Sequence, residues 1–284
     1  MLQNAGLFEA DCIILDMEDS VPPEDKTDAR FLIKHALKTL DFGKAERLVR
    51  INPVSTKFWK KDVEAVVGRN MVETIMVPKS ENPEDIKKVD ELVTKLEVTL
   101  KVKRGSTRLM PIIESALGVV NAYKIATASK RNVALVFGAE DFTRDIGGTR
   151  TREGWEMLLA KSQIVLGAKA AGIQALDGIY SDFADIEGLI AETNKAIEMG
   201  FDGKGAIHPS QIEPIHATYA PSIEDIEKAR KVVQALKDAK LKGVSVAALG
   251  GKMIDPPVAA KAERVLMLAK MMGLIQESKT GKKK

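Results

Sequence analysis

Two acids stand where a metal-assisted enzyme would need them. Glu114 closes the apolar run Leu-Met-Pro-Ile-Ile-Glu, and Asp141 closes Leu-Val-Phe-Gly-Ala-Glu-Asp. A short β-rich run that stops on an acid puts that acid at a strand's carboxyl end, where α/β folds bind their ligands. Two such carboxylates can share one hard cation. Oxygen ligands alone favour Mg²⁺, which takes one or two protein carboxylates and fills its other positions with water and substrate oxygens. The His and Cys spacing of a zinc site is missing. Other polar residues end strand-like runs in the same way: Asp16 and Glu18, Arg50 and Asn52, Lys79, Asp182 and His208. Each also has a plainer reading, as a helix cap, an ion-pair partner or a turn residue. Gly138-Ala139-Glu140-Asp141 and Gly147-Gly148 match neither GxGxxG nor GxxxxGK[ST], and no GxSxG elbow occurs. Nucleotide hydrolysis and serine hydrolysis therefore drop out.

The elements that must carry these residues alternate along the chain. Strand-like runs of four to six residues occupy 12–16, 47–51, 74–78, 109–113, 133–137, 175–180 and 205–208, and amphipathic segments fill 83–96, 154–171 and 185–199, the last with Gly200 as C-cap. An uninterrupted βα repeat predicts a parallel sheet, here a (β/α)8 TIM barrel of class α/β. Only seven strands can be counted, and the first ten residues read as the end of a helix. The first strand of the barrel is thus expected to be missing, and natural relatives to carry roughly ten to twenty more residues before Met1. After His208 the character changes. A helix is expected over 221–239 with Ser222 as N-cap, then a glycine-rich, strand-like stretch over 243–255, then a closing helix over 258–272. This divides the chain into a barrel catalytic domain, 1–216, and a C-terminal helical appendage and lid, 217–284.

Composition supports a large core and little else. The chain has 284 residues, 45% of them apolar, and its net charge of +3 is compatible with an anionic substrate without pointing to nucleic acid. Cys12 is the only cysteine, so an internal disulfide is impossible and a cytoplasmic setting is expected. No apolar run approaches the roughly 18–20 residues of a membrane span, and no secretory signal is visible. The tail Lys279-Thr280-Gly281-Lys282-Lys283-Lys284 reads as a solvated end.

Several motifs together resemble one family. Leu15-Asp16-Met17-Glu18-Asp19-Ser20-Val21-Pro22, Val49-Arg50-Ile51-Asn52-Pro53 and Ile113-Glu114-Ser115-Ala116-Leu117-Gly118 are similar to the β subunit of citrate lyase and its malyl-CoA lyase relatives, the HpcH/HpaI aldolase superfamily. Gly138-Ala139-Glu140-Asp141, Ile207-His208-Pro209-Ser210-Gln211 and Gly251-Lys252-Met253-Ile254-Asp255 continue the match in order. The family's opening strand, with its arginine and Val-Pro-Gly turn, has no counterpart. The resemblance implies a Mg²⁺-dependent carbon–carbon lyase that splits a β-hydroxyacyl thioester into an oxo-acid and an acyl thioester. It implies Glu114 and Asp141 as metal ligands, and Arg50 as the cation facing the oxo oxygen and the thioester enolate. Glu114 and residues Gly138, Ala139 and Glu140 would bind substrate beside Arg50. Asp16, Glu18 and Lys79 would orient Arg50 or the metal's waters. Asp255 would be the acid/base, delivered from a neighbouring subunit of a homotrimer; its plainer reading is the N-cap of a helix opened by Pro256 and Pro257. The partners implied are a CoA or acyl-carrier-protein thioester, a small oxo-acid and, in some relatives, a larger lyase complex, with no nucleic acid and no membrane. Two other readings stand beside this one: a thioester-independent class II oxo-acid aldolase, and an inactive subunit that only assembles with partners.

Overall fold

Seven short strands form one parallel sheet in the order of the chain: β1 (Cys12–Asp16), β2 (Glu46–Arg50), β3 (Thr74–Val77), β4 (Arg108–Ile113), β5 (Ala134–Phe137), β6 (Gln174–Asp177) and β7 (Gly203–Lys204). This computed structural model describes residues 2–241, 243, 244 and 246–275; the basic tail lies outside the described residues. The crossovers carry α1 (Lys26–Thr39), α2 (Trp59–Val66), α3 (Pro83–Thr99), α4 (Ala116–Val120), α5 (Ala122–Ala126), α6 (Ala139–Asp145), α7 (Trp155–Ala170) and α8 (Ile186–Met199), with α9 (Ile212–Tyr219) following β7. A doubly wound sheet reverses its strand order at a switch point. Here the order never reverses, and the sheet curls as a parallel half-barrel.

Register sorts the side chains into two layers. Asp16 lies opposite Arg50, Ile14 opposite Leu48, Met76 opposite Met110, and Val136 opposite both Ile112 and Leu176. Partners in a parallel ladder point to the same side, so these residues share the inner face. Leu48, Met76, Met110, Ile112 and Ala134 form a small buried cluster there. The alternate residues, among them Leu15, Val49, Ile75, Leu109, Leu135 and Phe137, face the helices in the larger core. Local signals place the helices. A capping box between Asn82 and Asp85, with Pro83 behind it, starts α3. Asp185 caps α8, which ends on Gly200 at φ 98°. At the amino ends of β4 and β5, Arg131 bridges Glu97 (2.7 Å) and Asp90 (2.6 Å), a buried network that ties the foot of the sheet to α3.

Two expectations need correction. The last strand covers Gly203–Lys204 rather than 205–208. The N–H groups of Ile207 and His208 are taken by the Gln211 side chain, which ends pairing before that segment. The helix expected before β1 is there, as a 3-10 helix over Leu2–Leu7. Asp141 is the third residue of α6 and not a strand terminus.

The contacts divide the chain into two units, the first ending at Ile215 and the second beginning at His216. The second contains α10 (Ile223–Leu241), an antiparallel hairpin of β8 (Ala247–Leu249) and β9 (Lys252–Ile254), and α11 (Pro256–Met271). Gly250 and Gly251 turn the hairpin, both at positive φ. Ala229, Val232, Leu236, Ile254, Ala259 and Ala262 form its core. No helix among the described residues is long and apolar enough to cross a membrane.

Candidate active site

Strand alternation aims a ring of polar side chains from one end of the sheet. Asp16 and Arg50 are the last residues of β1 and β2 and point inward. Glu114 follows Ile112 by two residues, and Gly138 follows Val136 by two, so both continue inward rows of β4 and β5.

The ring is tightly paired. Arg50 forks onto Asp16, Nε to Oδ1 at 2.7 Å and Nη2 to Oδ2 at 2.6 Å, and its Nη1 stands 3.1 Å from Glu18 Oε2. Glu18 is 2% exposed, and its other oxygen accepts from Lys79 Nζ. Lys79 also stands 3.4 Å from Asp19 and 3.7 Å from Asp141, whose second oxygen is 2.7 Å from Arg144. Lys79 adopts φ 48°, a left-handed conformation that costs an L-residue roughly 1 kcal/mol or more. That twist lets its backbone N–H donate to Glu114 Oε1 at 2.6 Å while its ammonium reaches Glu18. Gly138 makes room on the other side. A Cβ there would meet Glu114 Oε2 at 2.5 Å and Glu114 Cβ at 2.6 Å.

Electrostatics separate the groups. Burial raises the Asp16 carboxyl, but the bonds from Arg50 and Ser20 outweigh it and bring the pKa down to about 2. Arg50 is held still more firmly as a cation: burial opposes its charge, and Asp16 and Glu18 more than restore it. Glu114 goes the other way. Burial first, and then the charges of Asp141 and Glu18, push it up to about 7 against the single bond from Lys79.

A carboxylate pushed up by burial, and then by its acidic neighbours, is what a cation relieves. Around this site the acids Asp16, Glu18, Asp19, Glu114 and Asp141 outnumber the bases Arg50, Lys79, Arg144 and Lys26 by one. Among the described residues no three His, Cys, Asp or Glu side chains converge as a metal cage. Mg²⁺ needs no such cage, and Glu114 and Asp141, close enough for Asp141 to raise the Glu114 pKa, offer the oxygen donors that suit it.

Other candidates are occupied locally. Asp182 accepts from the N–H groups of Ala184 and Asp185. His208 Nδ1 accepts from Ser210 N, and its ring stacks on Phe183 at 5.0 Å. Asp255 accepts from Val258 N at 3.1 Å and so caps α11. Sequence reasoning passed over Asp19, Lys26 and Arg144, since a charge in a loop or at a helix end carries no periodic signal. It also passed over the contact that makes Gly138 necessary.

Residues 1–209 match the family model described as HpcH/HpaI aldolase/citrate lyase. The chain is 41% identical over 275 residues to citrate lyase subunit beta of Leuconostoc mesenteroides subsp. cremoris, covering 97% of this chain and 91% of that one. It is 35% identical to the L-malyl-CoA/beta-methylmalyl-CoA lyase of Cereibacter sphaeroides, over 96% of this chain and 91% of that one. Among solved structures it is similar to the CitE protein of Mycobacterium tuberculosis in complex with magnesium, acetoacetate and coenzyme A. There the TM-score is 0.73, at 34% identity, with 92% of this chain and 90% of that one covered.

Proposed function

The chain belongs to the HpcH/HpaI aldolase/citrate lyase family, and from that premise we propose that it is a Mg²⁺-dependent carbon–carbon lyase acting on a β-hydroxyacyl thioester. Citryl, citramalyl and malyl thioesters are the substrates that fit, carried on CoA or an acyl-carrier protein, with a small oxo-acid as one product. One observation carries the reading: a clamped Arg50 cation shares a ring with Glu114, whose pKa is pushed up to about 7 by burial and by Asp141.

Cleavage turns the substrate hydroxyl into a ketone, its proton leaving to water, as the bond to the thioester's α-carbon breaks. The electron pair passes to the thioester as an enolate, which is then protonated at carbon. Negative charge therefore develops on oxygen, and a fixed guanidinium meets it without reorganisation. Asp16 and Glu18 hold Arg50 in that pose. Mg²⁺ held by Glu114 and Asp141 would supply Lewis-acid polarisation and a template for the oxo-acid portion. The amides of Ala139, Glu140 and Asp141 open α6 and lack intrahelical acceptors, so they are our donors for the substrate carboxylate, with Gly138 leaving room beside them. Lys79 ties the Arg50 side of the ring to the Glu114 side.

Asp255 is our candidate acid/base at the α-carbon, brought by another copy in a homotrimer, with the second unit as lid. Barrel closure would take one further strand between β7 and β1. Ile14, on the inward row of β1 and 47% exposed, supports that reading. The test is incubation with Mg²⁺ and each of citryl-CoA, citramalyl-CoA and malyl-CoA. Release of the oxo-acid from at least one, abolished by a chelator, is expected. Failure to cleave any of them, as CoA thioesters or as the matching acyl-carrier-protein thioesters assayed in parallel, refutes the proposal, and cleavage of free hydroxy-acids alone replaces it with aldolase chemistry.

A further inference from the structure

Lys26, the first residue of α1, is 7% exposed, and its ammonium donates to two carbonyls, Met17 O at 2.8 Å and Glu18 O at 2.7 Å. A buried cation is costly, and neutral carbonyls compensate it less fully than a carboxylate does. Its placement is explained by what it holds. Met17 O also accepts from Asn52 Nδ2 at 3.0 Å; Asn52 is anchored on Asp62 at 2.7 Å, and Asp62 on Arg30 at 2.7 Å. Asp16 takes the N–H of Glu18 at 2.9 Å. The backbone of the turn after β1 is thus bonded at both carbonyls and at the Glu18 amide. That backbone presents the Glu18 carboxylate, which contacts both Arg50 and Lys79.

We propose that Lys26 is a positioning residue for the lyase reaction: it fixes the turn of residues 17 and 18 and, through Glu18, sets the Arg50 guanidinium. The role in catalysis rests on the lyase reading; the control of Arg50 does not. Lys26→Met keeps the length and removes charge and donors, whereas Lys26→Arg keeps both. In Lys26→Met, kcat is expected to fall on the order of 10–100-fold, as for other outer supports of a site, with KM for the thioester little changed. Lys26→Arg should recover most of the loss. The Arg50 Nε–H resonance, assigned by its absence from Arg50→Lys, should shift or broaden in Lys26→Met and return in Lys26→Arg. Lys26→Gln, neutral but able to bond one carbonyl, should fall between them and serves if Lys26→Met does not fold. A folded neutral variant with the wild-type kcat and an unmoved Arg50 signal overturns the proposal. If the wild-type chain cleaves no thioester, the lyase reading fails, and the Arg50 signal alone decides whether Lys26 governs that side chain.

Discussion

Gly138→Ala is the sharpest probe of how Glu114 is seated. Gly138 has φ −101° and ψ 92°, a region open to any L-residue, so alanine costs little in backbone conformation. The cost is steric. The new methyl would stand 2.5 Å from Glu114 Oε2 and 2.6 Å from Glu114 Cβ, about 1 Å inside the separation that carbon atoms prefer. Glu114 Cβ cannot retreat easily, because β4 is paired on both sides and Gly138 N donates to Ile113 O at 3.0 Å. Swinging the side chain relieves only the Oε2 contact and gives up the bond to Lys79 N at 2.6 Å, while the Cβ contact forces a backbone shift. Overpacking of this kind costs about 1–3 kcal/mol. If Glu114 is a metal ligand as proposed, loosening its support is expected to cost roughly 10–100-fold in affinity or activity. Urea unfolding of the metal-free protein reads the first quantity, and Mg²⁺ titration calorimetry reads the second. If Gly138→Ala unfolds at the wild-type midpoint and binds Mg²⁺ as tightly as the wild type, the seating argued here is wrong.

Three further outcomes follow from the same geometry. Arg50→Lys replaces a forked cation by a point charge that cannot bond both Asp16 oxygens in the same way, and steady-state kinetics should show kcat lower by roughly 10²–10³ with the fold retained. Asp16 has its folded-state pKa lowered, so its stabilisation is present above the ordinary carboxylate range and lost as pH falls through about 2. Acid unfolding followed by circular dichroism should show an Asp16 contribution of about 2 kcal/mol at most, and Asp16→Asn should lack that slope. Asp255→Asn keeps a good N-cap for α11, so its melting temperature should hardly move. If Asp255 is the acid/base, kcat should nevertheless drop by roughly 10²–10⁴, and an unchanged kcat would remove it from the chemistry.

Much of the curled parallel sheet could be read from the chain because its strands announce themselves locally. Runs such as Leu-Met-Pro-Ile-Ile are buried on both faces, and residues that must be apolar on both faces show it in any window of five. The same logic located Asp16, Arg50 and Glu114, since an inward row that turns polar at its last position is visible in sequence. β7 was harder. Two residues, Gly203 and Lys204, carry its pairing, and the more apolar segment after them is held by Gln211 instead. Asp141 drew attention for the right neighbourhood and the wrong element, because its aim comes from the first turn of α6.

By itself the sequence determined the βα alternation, the inward polar row and the family to which the chain belongs, since all three are written in residue order and short-range period. Only the tertiary structure decided that Glu18 bridges Arg50 and Lys79, that Gly138 must lack a side chain beside Glu114, and that a buried Lys26 holds the turn between them. Those are distances between side chains and backbone that separate turns and strands bring together. They arise from sheet register and close packing, which no local pattern encodes.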